Sequence, residues 1–192
     1  MAPRATPASY DARAMTDAAR ILKPFADGWA GYQRLLLGAI GPLTVEQLSS
    51  RTAPFQWAVW QLAAHIAGSR AYWFHDVLGE GDAAVRDMFR VESTTVPDLS
   101  LEDAGWEDDE RRPRTASELT EAFERTWAMI DETLRRWTAE DLAVEFSRTR
   151  RNGEVETFTR AWAVWHLIEH DLHHGGEISQ ILGTNGIPAP EL

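Results

Sequence analysis

No cysteine occurs anywhere in the 192 residues. That excludes a disulfide, a zinc–thiolate centre and a cysteine nucleophile. Any thiol chemistry would need a thiol brought in from outside. Basic charge is also scarce: 19 Lys and Arg stand against 30 Asp and Glu, a net charge of −11. So acidic a chain is a poor match for nucleic acid, whose phosphates need cationic side chains, and for an anionic membrane surface. The plain reading of the acidity is solubility. Long apolar runs are missing too. No stretch reaches the roughly 18 apolar residues of a membrane span. The opening "MAPRATPASYDARAMTDAAR" lacks the apolar core of a secretory signal. The expectation is a cytoplasmic protein with no membrane and no nucleic-acid partner. Neither a Gly-rich phosphate loop nor a convincing Ser-His-Asp order stands out.

What is present is helical periodicity. The length suits one domain spanning residues 1–192, with the Pro/Ala/Ser-rich residues 1–10 expected to be mobile. The spacing predicts a first helix over 24–40, with Pro24 in its first turn and "TDAARILK" as a shorter piece broken from it. Phe25, Trp29, Tyr32, Leu36 and Ile40 form its apolar stripe. Thr44 reads as the cap of a short turn. A second long helix, 55–78, is apolar around most of its circumference and should be deeply packed. Gly79 and Gly81 end it. A connection of some 35 residues follows, long for a compact domain. "DAAVRDMFR" is a candidate short helix within it, Trp106 a candidate anchor, and "EDDERR" a solvated run. A third helix covers 116–137, capped at Thr115 or Ser117, and Thr138 opens another capped turn. "EFSRTRRNGEVETFT" reads as a hairpin turning at Asn152–Gly153. The fourth helix runs from Thr159 to Leu182. The fold class is all-α: a four-helix bundle with a long crossover between helices 2 and 3 and a small hairpin before helix 4. The nine tryptophans fall largely on core stripes.

The fourth helix carries "HLIEHDLHHGGEI". At about 100° per residue, His166, His170, His173, His174 and Glu177 share one sector about 100° wide. Leu167, Ile168, Leu172, Ile178 and Leu182 occupy the rest, so the sector faces a cavity or the interior. His166 and His170, and His170 and His174, are spaced i, i+4, which stacks imidazoles on adjacent turns where two can share a metal ion. Such a pair alone is most often an ordinary polar pair, and a site needs a third ligand. The second helix offers His65 among Ala and Ile. Gln61, Gly68, Ser69 and Tyr72 lie within about 60° of it, a small and polar strip suited to the floor of a pocket. His75 falls near the helix end and reads as surface. Asp171 and Glu169 flank His170 but point away from the cluster.

Taken together, "FQWAVWQLAAHIAG", "RPRTASELTEAFERTW" and "TRAWAVWHLIEHDLHHGGEI" resemble the DinB-like superfamily, damage-inducible and YfiT-type metalloenzymes, over residues 20–183. "HDLHHGGEI" is the most specific element and is similar to the family's "HExxHRGQI" signature. The resemblance implies a metal triad of His65, His170 and His174, with His166 and His173 as supporting or packing residues. Two positions depart from the pattern: Gly175 stands where Arg is common and Glu177 where Gln is common. Three neutral imidazoles suit Zn²⁺, Ni²⁺ or Fe²⁺ with coordination positions left open. A cation held this way lowers the pKa of bound water to about 7, or ionises a bound thiol.

Three functions compete on these grounds. One is a metal-dependent enzyme acting on a small-molecule substrate, either transferring a low-molecular-weight thiol to an electrophile or hydrolysing an ester or amide. In that reading Glu177 accepts a proton or orients a ligand histidine, and Tyr72 and Gln61 position the electrophile. The second is a non-catalytic metal-binding protein, and the third a metal-free stress-response interaction protein. The resemblance also implies a homodimer.

Overall fold

The structure, a computed structural model, describes residues 17–91, 105–149 and 153–190. The Pro/Ala/Ser-rich start and Asn152 of the expected turn lie outside them. Helix α1, Asp17–Ile40, is continuous through Pro24, contrary to the expected break. Proline removes one i→i−4 hydrogen bond and crowds the preceding turn, at a cost of about 3 kcal/mol. What offsets it is apolar contact on both sides of the proline. Leu22 and Ala26 pack against the core and extend the buried row of Trp29, Gln33, Leu36 and Ile40. The register is therefore Leu22–Ala26–Trp29, and Phe25, expected on the stripe, is 57% exposed.

Helix α2, Val45–Leu48, has Thr44 as its cap, with Gln47 reaching back to the Thr44 N–H. Helix α3, Val59–Ala71, starts later than the sequence suggests. Gln61 is the reason: its side-chain oxygen accepts from the Ala58 N–H at 3.0 Å, and Phe55 is left fully exposed in the preceding turn. The helix ends in a π-helical turn, Tyr72–Val77, where the Leu78 N–H bonds the Trp73 carbonyl at 2.9 Å. The wider turn lets neighbouring Trp73 and Phe74 both point inward. His75 sits there, part-exposed beside the Asp76 carboxylate.

The short helix expected in the crossover exists as α4, Ala83–Asp87. Trp106 is an anchor as expected: it is buried in a 3-10 turn, Trp106–Asp108, between Phe89 and the Arg114 guanidinium. Helix α5, Ala116–Arg136, is capped by Thr115 with Glu118 returning the bond. Helix α6, Ala139–Ala143, repeats the device with Thr138 and Asp141. Strands β1, Glu145–Thr149, and β2, Val155–Thr159, pair antiparallel with Phe146 opposite Phe158. Gly153 takes φ 85°, a turn conformation that favours glycine. Helix α7, Arg160–Thr184, starts from Thr159 as cap. The described residues are thus mostly helical with one two-stranded sheet. None of their helices is long and apolar enough to cross a membrane.

Helix α3 packs against both α5 and α7, and α1 against α5 and α7. Where the four meet lies a polar knot. Arg70 on α3 is wholly buried and donates to Asp171 Oδ2 on α7 at 2.6 and 2.9 Å. Trp29 Nε1 on α1 donates to the same oxygen at 2.5 Å. Arg70 also donates to Gln33 Oε1 at 2.6 Å, and Gln33 donates to the Phe123 carbonyl of α5 at 3.0 Å. Six tryptophans lie in or against the core, but Trp57, Trp162 and Trp165 are exposed, which corrects their expected placement.

Removing one partner of a buried ion pair leaves the other charge uncompensated, at about 3–5 kcal/mol. Arg70→Met should therefore lower the unfolding free energy by that much. Urea denaturation of the metal-free protein checks this, and a loss under about 1 kcal/mol would show the knot to be dispensable.

Candidate metal centre

His65 lies mid-way along α3, and His170 and His174 sit one turn apart on α7. Packing of α3 on α7 brings the three rings together. Their centroids are 4.8 Å (65–170), 4.9 Å (65–174) and 4.5 Å (170–174) apart. One ligand nitrogen from each lies within 4.8 Å of the others. All three rings are part-buried.

Hydrogen bonds fix which nitrogen faces inward. His65 Nδ1 is 2.8 Å from Glu107 Oε1, and His174 Nδ1 is 2.7 Å from Glu177 Oε2. A carboxylate only accepts, so each Nδ1 carries the proton and each Nε2 presents a lone pair. His170 Nε2 lies 3.0 Å from His65 Nε2 and 3.5 Å from Ser69 Oγ. Two imidazole lone pairs at that distance repel unless a proton or cation lies between them. Tetrahedral zinc with Zn–N near 2.0–2.1 Å spaces its donors by roughly 3.3 Å. The donor set therefore fits a divalent ion, and carboxylates on ligand histidines are the usual support for one.

Electrostatics favour the same state. Burial first, then the neighbouring His65, His174, His166 and Arg70, pushes His170 down to about 3. Burial also lowers His174, against an opposing pull from Glu177. These rings are neutral at neutral pH, the form that binds metal.

The remaining histidines border the site. His166 is stacked on Trp162 at 4.9 Å, with its ring 5.0 Å from Trp73 and 6.1 Å from His170. His173 is exposed, edge-on to His174 at 4.9 Å, with Nε2 3.8 Å from Glu177 Oε1. His173, His174 and Glu177 make a second, more open group of possible ligands. Of the polar strip around His65, Ser69 alone comes within hydrogen-bond distance of the triad among the described residues. Gln61 is buried, and its amide donates to the Glu107 carbonyl at 2.9 Å. Gly68 faces Phe89. Tyr72 sets its ring against Trp73 and makes no hydrogen bond to the triad among the described residues.

A cavity of about 530 Å³ opens beside His174, walled by Thr52, Gln56, Trp57, Leu62, Glu177 and Gln180 among others. It is therefore not floored by the strip around His65. Trp57 packs its ring 4.8 Å from His65, joining cavity to triad. Neither Trp57 nor Glu107 is legible as a site residue in the sequence. Trp57 precedes its helix. Glu107 is one acid among many in the crossover, and its only signal is the neighbouring anchor Trp106. Gly175, next to His174, also has a structural reason: a side chain there would overlap the Tyr32 hydroxyl of α1.

A family model described as the DinB superfamily matches residues 29–178, which include all three histidines. A DinB-like protein from Bacillus cereus is similar in structure, with a TM-score of 0.63 at 20% identity, covering 89% of this chain and 97% of that one. A conserved protein from Enterococcus faecalis gives a TM-score of 0.65 at 14% identity, covering 88% and 99%. At these identities the likeness speaks to the fold. No curated protein matches the chain.

His65→Ala, His170→Ala and His174→Ala should each lose most bound metal, while His166→Ala and His173→Ala keep it. Elemental analysis of tag-free protein checks this, and full occupancy in His174→Ala would remove that residue from the ligand set. A second expectation concerns acid. A histidine with a depressed folded pKa takes up its proton first in the unfolded chain. Its contribution to stability is complete above about pH 6.5 and falls as pH drops from there toward 3. For His170 the ceiling is on the order of 4–5 kcal/mol. Metal-free wild type should therefore lose more stability between pH 7 and 4 than His170→Ala does, as denaturation at stepped pH would measure. Equal losses would place the acid sensitivity elsewhere.

Proposed function

Since this chain belongs to the DinB superfamily, we propose that it is a divalent-metal enzyme that transfers a low-molecular-weight thiol to an electrophilic small molecule. The observation that carries the reading is the convergence of three imidazoles, two with a carboxylate on Nδ1 and one of them, His174, lining a ligand-sized cavity. In this reading His65, His170 and His174 hold Zn²⁺, Ni²⁺ or Fe²⁺ in a four-helix bundle of α1, α3, α5 and α7, and the crossover between α3 and α5 delivers Glu107. The bound ion would supply positive charge that favours thiolate over thiol.

The chain's own residues do the rest. With no cysteine, the sulfur arrives with the substrate. Glu107 and Glu177 hold the His65 and His174 rings with Nε2 inward. Glu177 also lines the cavity wall, where it is placed to take the thiol proton. Trp57, between cavity and triad, offers an apolar face to the substrate and keeps water from one side of the rings. Tyr72, packed edge-on to Trp73, would meet a substrate only beyond the hydrogen bonds of the triad.

Metal-loaded and metal-free protein should differ when incubated with a panel of small thiols and a chromogenic electrophile. The expected outcome is thiol- and metal-dependent product, reduced at least tenfold in Glu177→Gln. Equal rates with and without metal would overturn the transferase reading. Cleavage of ester or amide substrates without any thiol would replace it with a hydrolase.

A further inference from the structure

His65 and His174 each rest Nδ1 on a carboxylate, at 2.8 and 2.7 Å. His170, between them in the cluster, does not. Its Nδ1 is buried and has no hydrogen-bond partner among the described residues. The nearest carboxylate oxygen is Oδ1 of Asp171, 4.0 Å away. That oxygen is also buried and without a partner. All the donors on Asp171 reach Oδ2: two from Arg70 and one from Trp29. A wholly buried carboxylate thus has one oxygen saturated and the other idle, beside an idle ring nitrogen.

The two idle atoms answer each other once an ion is held. Coordination through Nε2 obliges the ring proton to sit on Nδ1. A buried N–H without an acceptor is costly, and Asp171 Oδ1 is the acceptor at hand. Closing from 4.0 Å to hydrogen-bond distance takes a ring shift of about 1 Å. We propose that Asp171 is the positioning residue for His170, accepting its Nδ1–H through Oδ1 when a cation is bound at Nε2. Asp171 then joins the metal centre to the Arg70–Gln33–Trp29 knot, and every ligand histidine has its own carboxylate. This rests on the metal reading of the triad.

The test uses the full chain, labelled with ¹⁵N and ¹³C, with and without one equivalent of Zn²⁺. On loading, His170 should show zinc at Nε2 and a slowly exchanging proton at Nδ1, and the Asp171 carboxyl carbon should shift. In Asp171→Asn the amide oxygen must stay with Arg70 and Trp29, which turns the NH₂ toward His170. A donor then faces a donor, and zinc affinity should fall about 10–100-fold. Glu169→Gln, the exposed neighbour on the other side of His170, should leave affinity unchanged. If Asp171→Asn does not fold, the wild-type spectra decide alone. A His170 Nδ1 proton exchanging as fast as that of exposed His173, or an unmoved Asp171 carboxyl carbon, would overturn the proposal while leaving the metal site standing. Failure of wild type to bind zinc at all would remove the metal reading, and this inference with it.

Discussion

The buried pair of Arg70 and Asp171 is the constraint on which the rest depends. Two charges withdrawn from water cost several kcal/mol each, and their attraction offsets this only when the geometry is good and the remaining donors are satisfied. Here both conditions are nearly met. Arg70 distributes its donors between Asp171 on α7 and Gln33 on α1, Gln33 passes the contact to α5, and Trp29 closes the ring. One knot therefore sets the mutual depth and rotation of four helices. Apolar packing is non-directional and tolerates small slips. A fork of hydrogen bonds to one oxygen does not.

The histidines inherit that precision. His65 precedes Arg70 by little more than one turn on α3, and His170 is the neighbour of Asp171 on α7. The pair that locks the helices is thus built into the same two turns that present the imidazoles. Charge is arranged in the opposite sense from the chain as a whole. The protein is strongly acidic, yet imidazole nitrogens turn inward and the acids Glu107 and Glu177 stand behind the rings. A dication would meet lone pairs in front and negative charge one hydrogen bond further out, with the Trp57 ring against His65 and His174 on one side.

Local signals made much of this legible. The caps at Thr44, Thr115 and Thr138 are one-residue statements about hydrogen bonding, and they hold. His170 and His174 are spaced so that any helix must bring them together. His65 is marked locally only by the small, polar strip around it, and its place in a triad comes from the family resemblance. The failures share a cause, which is dependence on distant partners. Pro24 lies inside a helix because Leu22 and Ala26 find core on the far side of it. Gln61, expected to position an electrophile, has its amide engaged by Ala58 and Glu107. Asp171 reads in the sequence as pointing away from the cluster, yet its Oδ1 lies 4.0 Å from His170 Nδ1, and nothing in "EHDLHH" names an arginine a hundred residues earlier as its partner. Glu107 was hidden in an acidic run whose composition says only that it is solvated.

Gly175 and Tyr32 draw out one more consequence. The tyrosine hydroxyl occupies the space that a side chain at 175 would need. Position 175 follows a ligand histidine, and position 32 lies on the first helix, far away in sequence. Sterically they are a single site shared by two residues. A side chain after His174 on α7 and the tyrosine at position 32 of α1 compete for one volume. Enlarging position 175 is therefore a change at two positions at once, because the Tyr32 side chain has to leave before anything larger than hydrogen can enter.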